Sequence, residues 1–316
     1  MRPVFVSAVI TSVHWSAWAA FVACILVFLA LDLGVFHRQS HVVKVKEAFG
    51  WTLVWFAVAM LFAGGLVAWR GKQEAVEFVT GYIIELSLSM DNVFVIALIF
   101  AYFRVPAQLQ HRVLFWGILG ALVMRGVMIG AGTALVARFH WTLYLFGAFL
   151  VYSGIKMLFG HDEAVEPEKN PVLRLARKLY PVSHEFDGQK FRTLVNGRRA
   201  LTPLALALLM VETADLVFAL DSIPAIFAVT TKPFIVFTSN VFAILGLRSL
   251  YFVLAGAIGY FQYLKYGLSL VLVFIGAKML AERWVQIPTV WALLVVAVII
   301  TASILLSVAK ERRGKR

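Results

Sequence analysis

The sequence predicts an all-α polytopic membrane protein of about nine transmembrane helices with an inverted 3+3 repeat. Three observations predict it. Of 316 residues, 61% are hydrophobic and only 15% charged, with a mean hydropathy of +0.86, whereas soluble globular chains carry about 25% charge. Apolar runs long enough to cross a bilayer recur along the chain. Two of these runs carry carboxylates, and the sequence around them recurs as well.

The expected spans are 15–36, 48–69, 78–103, 113–137, 141–160, 201–229, 235–259, 263–281 and 288–309. They divide the chain into a two-helix segment (1–77), a first three-helix unit (78–160), a polar loop (161–200), a second three-helix unit (201–281), and a last helix with a basic tail (282–316). Nine spans put the termini on opposite sides. The N-terminal side then holds 6 Lys and Arg residues and the other side 19. The positive-inside rule therefore orients the chain in the cell (inner) membrane with its N-terminus outside and its C-terminus and 161–200 loop in the cytoplasm. The net charge of +12 is thus a topology signal, and nucleic acid is not an expected partner.

In the first span, Cys24 is the only cysteine, which excludes an intrachain disulfide and a thiolate metal cluster. Asp32, near the cytoplasmic end of that span and followed by Arg38, reads as an interfacial residue. The 161–200 loop holds Pro167, Pro171 and Pro181, a short amphipathic stretch around Leu173 to Leu179, and an Asn196-Gly197 pair that predicts a small hairpin. His184, Glu185 and Asp187 in that loop read as a solvated group, not a metal cluster.

The acidic segments organise everything else. Val211 to Ala225 reads Val-Glu-Thr-Ala-Asp-Leu-Val-Phe-Ala-Leu-Asp-Ser-Ile-Pro-Ala inside the sixth span, and Glu85-Leu-Ser-Leu-Ser-Met-Asp-Asn-Val-Phe lies inside the third. A carboxylate at a helix centre costs about 2.5 to 3.5 kcal/mol on insertion scales. Glu212, Asp215 and Asp221, like Glu85 and Asp91, must therefore face water, a partner or an ion. Asp91-x-Val-Phe matches Asp215-x-Val-Phe at a separation of 124, Gly154-Ile-Lys156-Met-Leu matches Gly276-Ala-Lys278-Met-Leu at 122, and Arg125 matches Arg248 at 123. Three spans per unit is an odd number, so the second copy enters from the opposite side. Transporters of that inverted architecture bind cargo at the repeat interface near the midplane.

On a helix turning about 100° per residue, Glu85, Ser89 and Asn92 share a face with Asp91 off to one side. Glu212, Asp215, Ala219 and Ser222 share another, with Asp221 roughly opposite Glu212. Pro224 cannot donate to the Leu220 carbonyl, so a kink or opening is expected there, re-aiming Asp221. Arg125 and Arg248 sit mid-span and supply charge balance, leaving five acids against two cations. Carboxylates, the Asn92 amide, the hydroxyls of Ser89, Thr213 and Ser222 and backbone carbonyls form a hard, oxygen-rich donor set suited to Mg, Ca or Mn. The competing reading makes these acids structural ion pairs with the two arginines. Met90 and Met210 read as packing. Lys156 and Lys278 lie near span ends, where a lysine can snorkel to the interface, although their repetition hints at gating contacts. The sequence has no P-loop and no dinucleotide fingerprint, and an enzyme is not expected.

At these residues the chain resembles the TerC family of integral membrane proteins, and most of all its Alx-like branch. The carrying segments are the two acidic ones together with Thr238-Ser-Asn-Val-Phe-Ala-Ile-Leu-Gly-Leu-Arg248-Ser-Leu-Tyr. The resemblance implies kinship with LysE-type exporters and, for Alx-like members, manganese export, with redox modulation or a tellurium-resistance complex as alternative roles. It implies a cation site formed by Glu85, Asp91, Asn92, Glu212, Asp215, Asp221 and Ser222. No tightly bound cofactor is expected. The expected cargo is Mn2+, with Ca2+ or another divalent cation as the alternative, and self-association or a membrane partner is left open.

Overall fold

The computed structural model describes residues 13–31, 45–159, 170–195, 197–255 and 263–314. In chain order the elements are α1 (Trp15–Leu31), α2 (Val45–Arg70), α3 (Lys72–Tyr102), α4 (Ala107–Arg138), α5 (Thr142–Phe159), α6 (Pro171–Leu179), β1 (Arg192–Val195), β2 (Arg198–Leu201), α7 (Pro203–Phe227), α8 (Pro233–Ala255), α9 (Leu264–Ala281) and α10 (Thr289–Gly314). Among the described residues eight helices, α2 to α5 and α7 to α10, are long and apolar enough to cross a membrane. The described part of α1 is a shorter apolar helix. Asp32 and Arg38 lie outside the described residues.

Span boundaries shift where polar residues are buried. The third span was expected to start at residue 78, yet α3 begins at Lys72, because Glu74 and Glu77 are buried and bonded. A single residue, Gly71 at φ +94°, reverses the chain between α2 and α3; a side chain is strained in that conformation. The α7 helix continues through Pro224, which removes only the one bond to the Leu220 carbonyl, and stops at Phe227. The opening expected at Pro224 is absent because the proline falls in the last turn: only the Leu220 carbonyl loses its partner to the ring, and the closing carbonyls of any helix lack an intrahelical partner in any case.

The bundle is built around α8, which is nearly enclosed by α2, α3 and α4. With lipid outside, helices gain little by hiding apolar groups from one another, so close contact at small residues holds them together. A Cβ built on Gly276 of α9 would lie 2.6 Å from the Gly147 carbonyl oxygen of α5, and one on Gly154 would lie 2.8 Å from the Ser269 carbonyl oxygen. These two contacts exchange under the 122-residue shift, which carries Gly147 to Ser269 and Gly154 to Gly276. The other pairings follow the same exchange: α3 packs on α8 as α7 packs on α4, and α3 meets α7.

One end of the bundle is capped by α6 and the hairpin. Asn170 caps α6, its Oδ1 accepting from the amides of Val172 (2.9 Å) and Leu173 (3.1 Å). The hairpin predicted from Asn196-Gly197 is present, with Val195 opposite Arg198 and Gly197 at φ +76°.

Candidate functional site

Arg125 stands at the centre of the bundle, buried on α4, and gathers groups from α3 and α7. Its Nη2 donates to Asp215 Oδ1 at 2.8 Å and its Nε to Asp215 Oδ2 at 3.2 Å, a two-point fork. Its Nη1 donates to Glu85 Oε1 and, at 3.1 Å, to Ser222 Oγ. Asn92 Nδ2 donates to Asp215 Oδ1 at 2.9 Å. Glu85, Asn92, Arg125, Asp215 and Ser222 are each at most 4% exposed. With Arg125, the two carboxylates leave a net charge of minus one in a region sealed from solvent.

Four of the seven expected ligands therefore converge: Glu85, Asn92, Asp215 and Ser222. The helices set this up by register. Glu85, Ser89 and Asn92 share the buried face of α3, and Asp215, Ala219 and Ser222 share the buried face of α7. Ser222 and Glu85 meet at the same guanidinium nitrogen, Nη1 of Arg125, so the contact of Asn92 with Asp215 has a counterpart in the pairing of Ser222 with Glu85. Those two contacts exchange under a shift of 130, which aligns Glu85-Leu-x4-Asp91-Asn92 with Asp215-Leu-x4-Asp221-Ser222. The contacts obey that register, not the 124 of the matching Asp-x-Val-Phe words.

The other three expected ligands stand apart. Glu212, one turn before Asp215, is partly buried, with its carboxylate packed where a Cβ on Gly120 of α4 would have to go. Asp91 is partly buried on the flank of α3 and engaged by a contact of its own. Asp221 turns to α5, where Ser153 Oγ donates to its Oδ1 at 2.6 Å and Lys156 lies within electrostatic reach. Lys278 points to the same helix from α9, its Nζ donating to the Ala228 carbonyl at 3.1 Å. The two repeated lysines thus both hold α7 or its end. Among the described residues no three His, Cys, Asp or Glu side chains form a metal-binding group.

Beside the arginine lies a cavity of about 20 Å³, room for one water-sized occupant. Asn92, Asp215 and Arg248 supply its polar wall, and Ile96, Leu114, Ile118, Val211 and Leu247 its apolar wall. It lies on the α6 side of Arg125, towards the chain ends of α3 and α8 and the beginnings of α4 and α7. Three buried oxygens on the shared face of α3 have no partner within the protein: Glu85 Oε2, Ser89 Oγ and Asn92 Oδ1. Asn240 of α8, fully buried, likewise has neither side-chain atom bonded.

A second polar cluster closes the opposite end. Arg70 Nε donates to Glu74 Oε2 at 2.9 Å, Lys232 Nζ lies 3.4 Å from Glu74 Oε1 and 3.1 Å from Glu77 Oε2, and Thr230 Oγ1 donates to Glu77 Oε2 at 2.8 Å. This ties α2, the first turns of α3 and the α7–α8 connection together. Sequence reasoning missed it, having counted Arg70 and Lys232 as topology charges. The i, i+4 spacing of Arg70 and Glu74 was the available signal.

Residues 70–315 match the family described as "Integral membrane protein TerC family". The chain is 55% identical to "Uncharacterized membrane protein STKORF319" of Myxococcus xanthus over 94% of this chain and 93% of that one. It is 45% identical to "Putative membrane-bound redox modulator Alx" of Escherichia coli K12 over 94% of this chain and 97% of the relative. A Rickettsia felis protein named "Uncharacterized membrane protein" is 38% identical over 93% of this chain and 98% of its own. No solved structure matches. An integral membrane protein with a family match over residues 70–315 and relatives covered almost end to end, the chain belongs to the TerC family.

Proposed function

We propose that the protein is a secondary transporter that exports a divalent metal cation, Mn2+ foremost, from the cytoplasm through the site around Arg125. The observation that carries this reading is the row of three unpartnered buried oxygens on one face of α3, of which Asn92, with Asp215, lines a cavity of single-ion size. An unbonded buried acceptor is costly, and a hard cation satisfies several such oxygens at once. Glu85 Oε2, Ser89 Oγ and Asn92 Oδ1 supply oxygen donors of the type Mn2+ accepts, with Asp215 across the cluster and Glu212 one turn nearer the cavity end.

Arg125 then serves as a tethered counter-ion. Without cargo its guanidinium neutralises Glu85 and Asp215; with cargo a divalent ion takes over part of that role and the guanidinium gives way. Protons are suitable exchange partners, because carboxylates that share a dry site exchange a proton for a metal ion. The clamp at Glu74, Glu77 and Lys232 forms the closed outer side, and the cavity on the α6 side the approach from the cytoplasm. Access alternates by rocking one three-helix unit against the other about the α5–α9 contact.

The test is metal content. Cytoplasmic metals are measured by mass spectrometry in manganese-loaded cells expressing the wild type, Asp215→Asn or Asp91→Asn, with the amount of each protein checked. Selective lowering of Mn by the wild type and loss of that effect in Asp215→Asn supports export through this site. Unchanged Mn with the wild type refutes manganese export. The printed name of the Escherichia coli relative, a redox modulator, favours a second reading, which predicts that thiol redox state responds to expression while metal content does not.

A further inference from the structure

We propose that α6 is an interfacial helix that seats its outer apolar arc in the bilayer and holds anionic phospholipid headgroups with its basic arc. The helix buries only Leu173 and Ala176, in the same core cluster as Leu201, Leu204 and Ala205 at the start of α7. Its other apolar side chains stay out: Val172 is 41%, Leu175 57% and Leu179 64% exposed. At about 100° per residue these three fall on one arc adjoining the docked pair, and Arg174, Arg177 and Lys178 fall on the opposite side. A continuous apolar arc of about 160°, of which the docked pair takes up only about 60°, backed by cations, is the pattern of a helix lying in a headgroup layer.

Position fixes the occupant. Packing against the first turn of the spanning helix α7 holds α6 at the boundary where that span begins. The apolar surface within its reach there is the bilayer itself. Charge selects the lipid: residues 170–201 contain seven Lys and Arg residues against two Asp and Glu, which attracts acidic headgroups. Anchoring α6 to lipid also anchors the end of the bundle on which the central cavity lies.

The experiment places a bimane label at Leu175→Cys or Lys178→Cys in full-length protein carrying Cys24→Ser. Each is reconstituted in nanodiscs of phosphatidylcholine and phosphatidylglycerol with lipids spin-labelled near the top of the acyl chain. The expected result is quenching at position 175 about twofold or more above that at 178. Equal, weak quenching at both overturns the proposal, as does a label at 175 shielded from both spin-labelled lipid and aqueous iodide, the signature of a docked protein segment. In native mass spectrometry, Arg177→Gln with Lys178→Gln is expected to retain phosphatidylglycerol about tenfold more weakly than the parent protein, and not phosphatidylcholine. Unchanged phosphatidylglycerol retention overturns the headgroup contact.

Discussion

Replacing Arg125 by Gln tests whether one guanidinium holds the centre together. The side chain makes two bonds to Asp215, one to Glu85 and one to Ser222. Gln keeps a polar group but removes the charge, leaving two buried carboxylates together. Breaking a buried ion pair from one side costs about 3–5 kcal/mol, and here one substitution breaks two. A protonation of Glu85 or Asp215 relieves part of the repulsion, so a loss of about 3–5 kcal/mol is expected, not twice that. The assay is reversible unfolding of the purified protein in mixed micelles, in a cycle with Glu85→Gln and the Arg125→Gln/Glu85→Gln double variant. Removing the orphaned charge should make the double variant more stable than Arg125→Gln alone, because a neutral site is less costly than half an ion pair. If the central site binds cation as proposed, Mn2+ should also stabilise the Arg125→Gln protein, by about 2.7 kcal/mol at a hundredfold excess over Kd. An Arg125→Gln variant within about 1 kcal/mol of wild type, or a double variant no better than the single, refutes the counter-ion argument.

Four further outcomes follow from the same geometry. Gly276→Val should destabilise by about 1–3 kcal/mol in the same unfolding assay, because its Cβ would lie 2.6 Å from the backbone oxygen of Gly147, and two helices must separate to admit it. Gly120→Ala meets only the flexible end of Glu212, so stability should stay within about 1 kcal/mol while metal content in the cell assay shifts; an unchanged metal response removes Glu212 from the pathway. Lys232→Gln leaves Glu77 with Thr230 but no cation of its own, and the ends of α3 and α7 should exchange amide hydrogens faster, which hydrogen exchange reads directly. In the polar loop, hydrogen bonds from Thr193 and Lys190 hold the Asp187 carboxyl below its ordinary range. A depressed folded-state pKa contributes stability that is present above the unfolded value of about 3.9 and lost as pH falls through the lower folded value. Protection of the hairpin amides should hold from neutral pH to about 4 and fall below it, and Thr193→Val should flatten that response.

Composition and periodicity alone determined the all-helical membrane class and the helix and hairpin of the polar cap. Long apolar runs have few other stable outcomes, Asn196-Gly197 encodes its own turn, and Leu173 to Leu179 shows its two faces without any partner. The same reasoning established that Glu85, Ser89 and Asn92 share a face, because the turn of a helix fixes angles about its own axis. It could not say which neighbour each face meets. That was decided by contacts between helices: Gly147 against Gly276, Gly154 against Ser269, and the glycines of α4 against α7. Those contacts bring Asp215 and Glu85 to one arginine and turn Asp221 away to Ser153. They also relate Glu85 to Asp215 and Asn92 to Ser222 at a separation of 130, where the short matching words lie 124 apart. The clamp at Glu74 and Glu77 was hidden for the same reason, since a carboxylate near a span end reads as solvated until Lys232, more than 150 residues away, is seen to close on it. Local sequence fixes what a helix offers, and only packing selects what it is offered to.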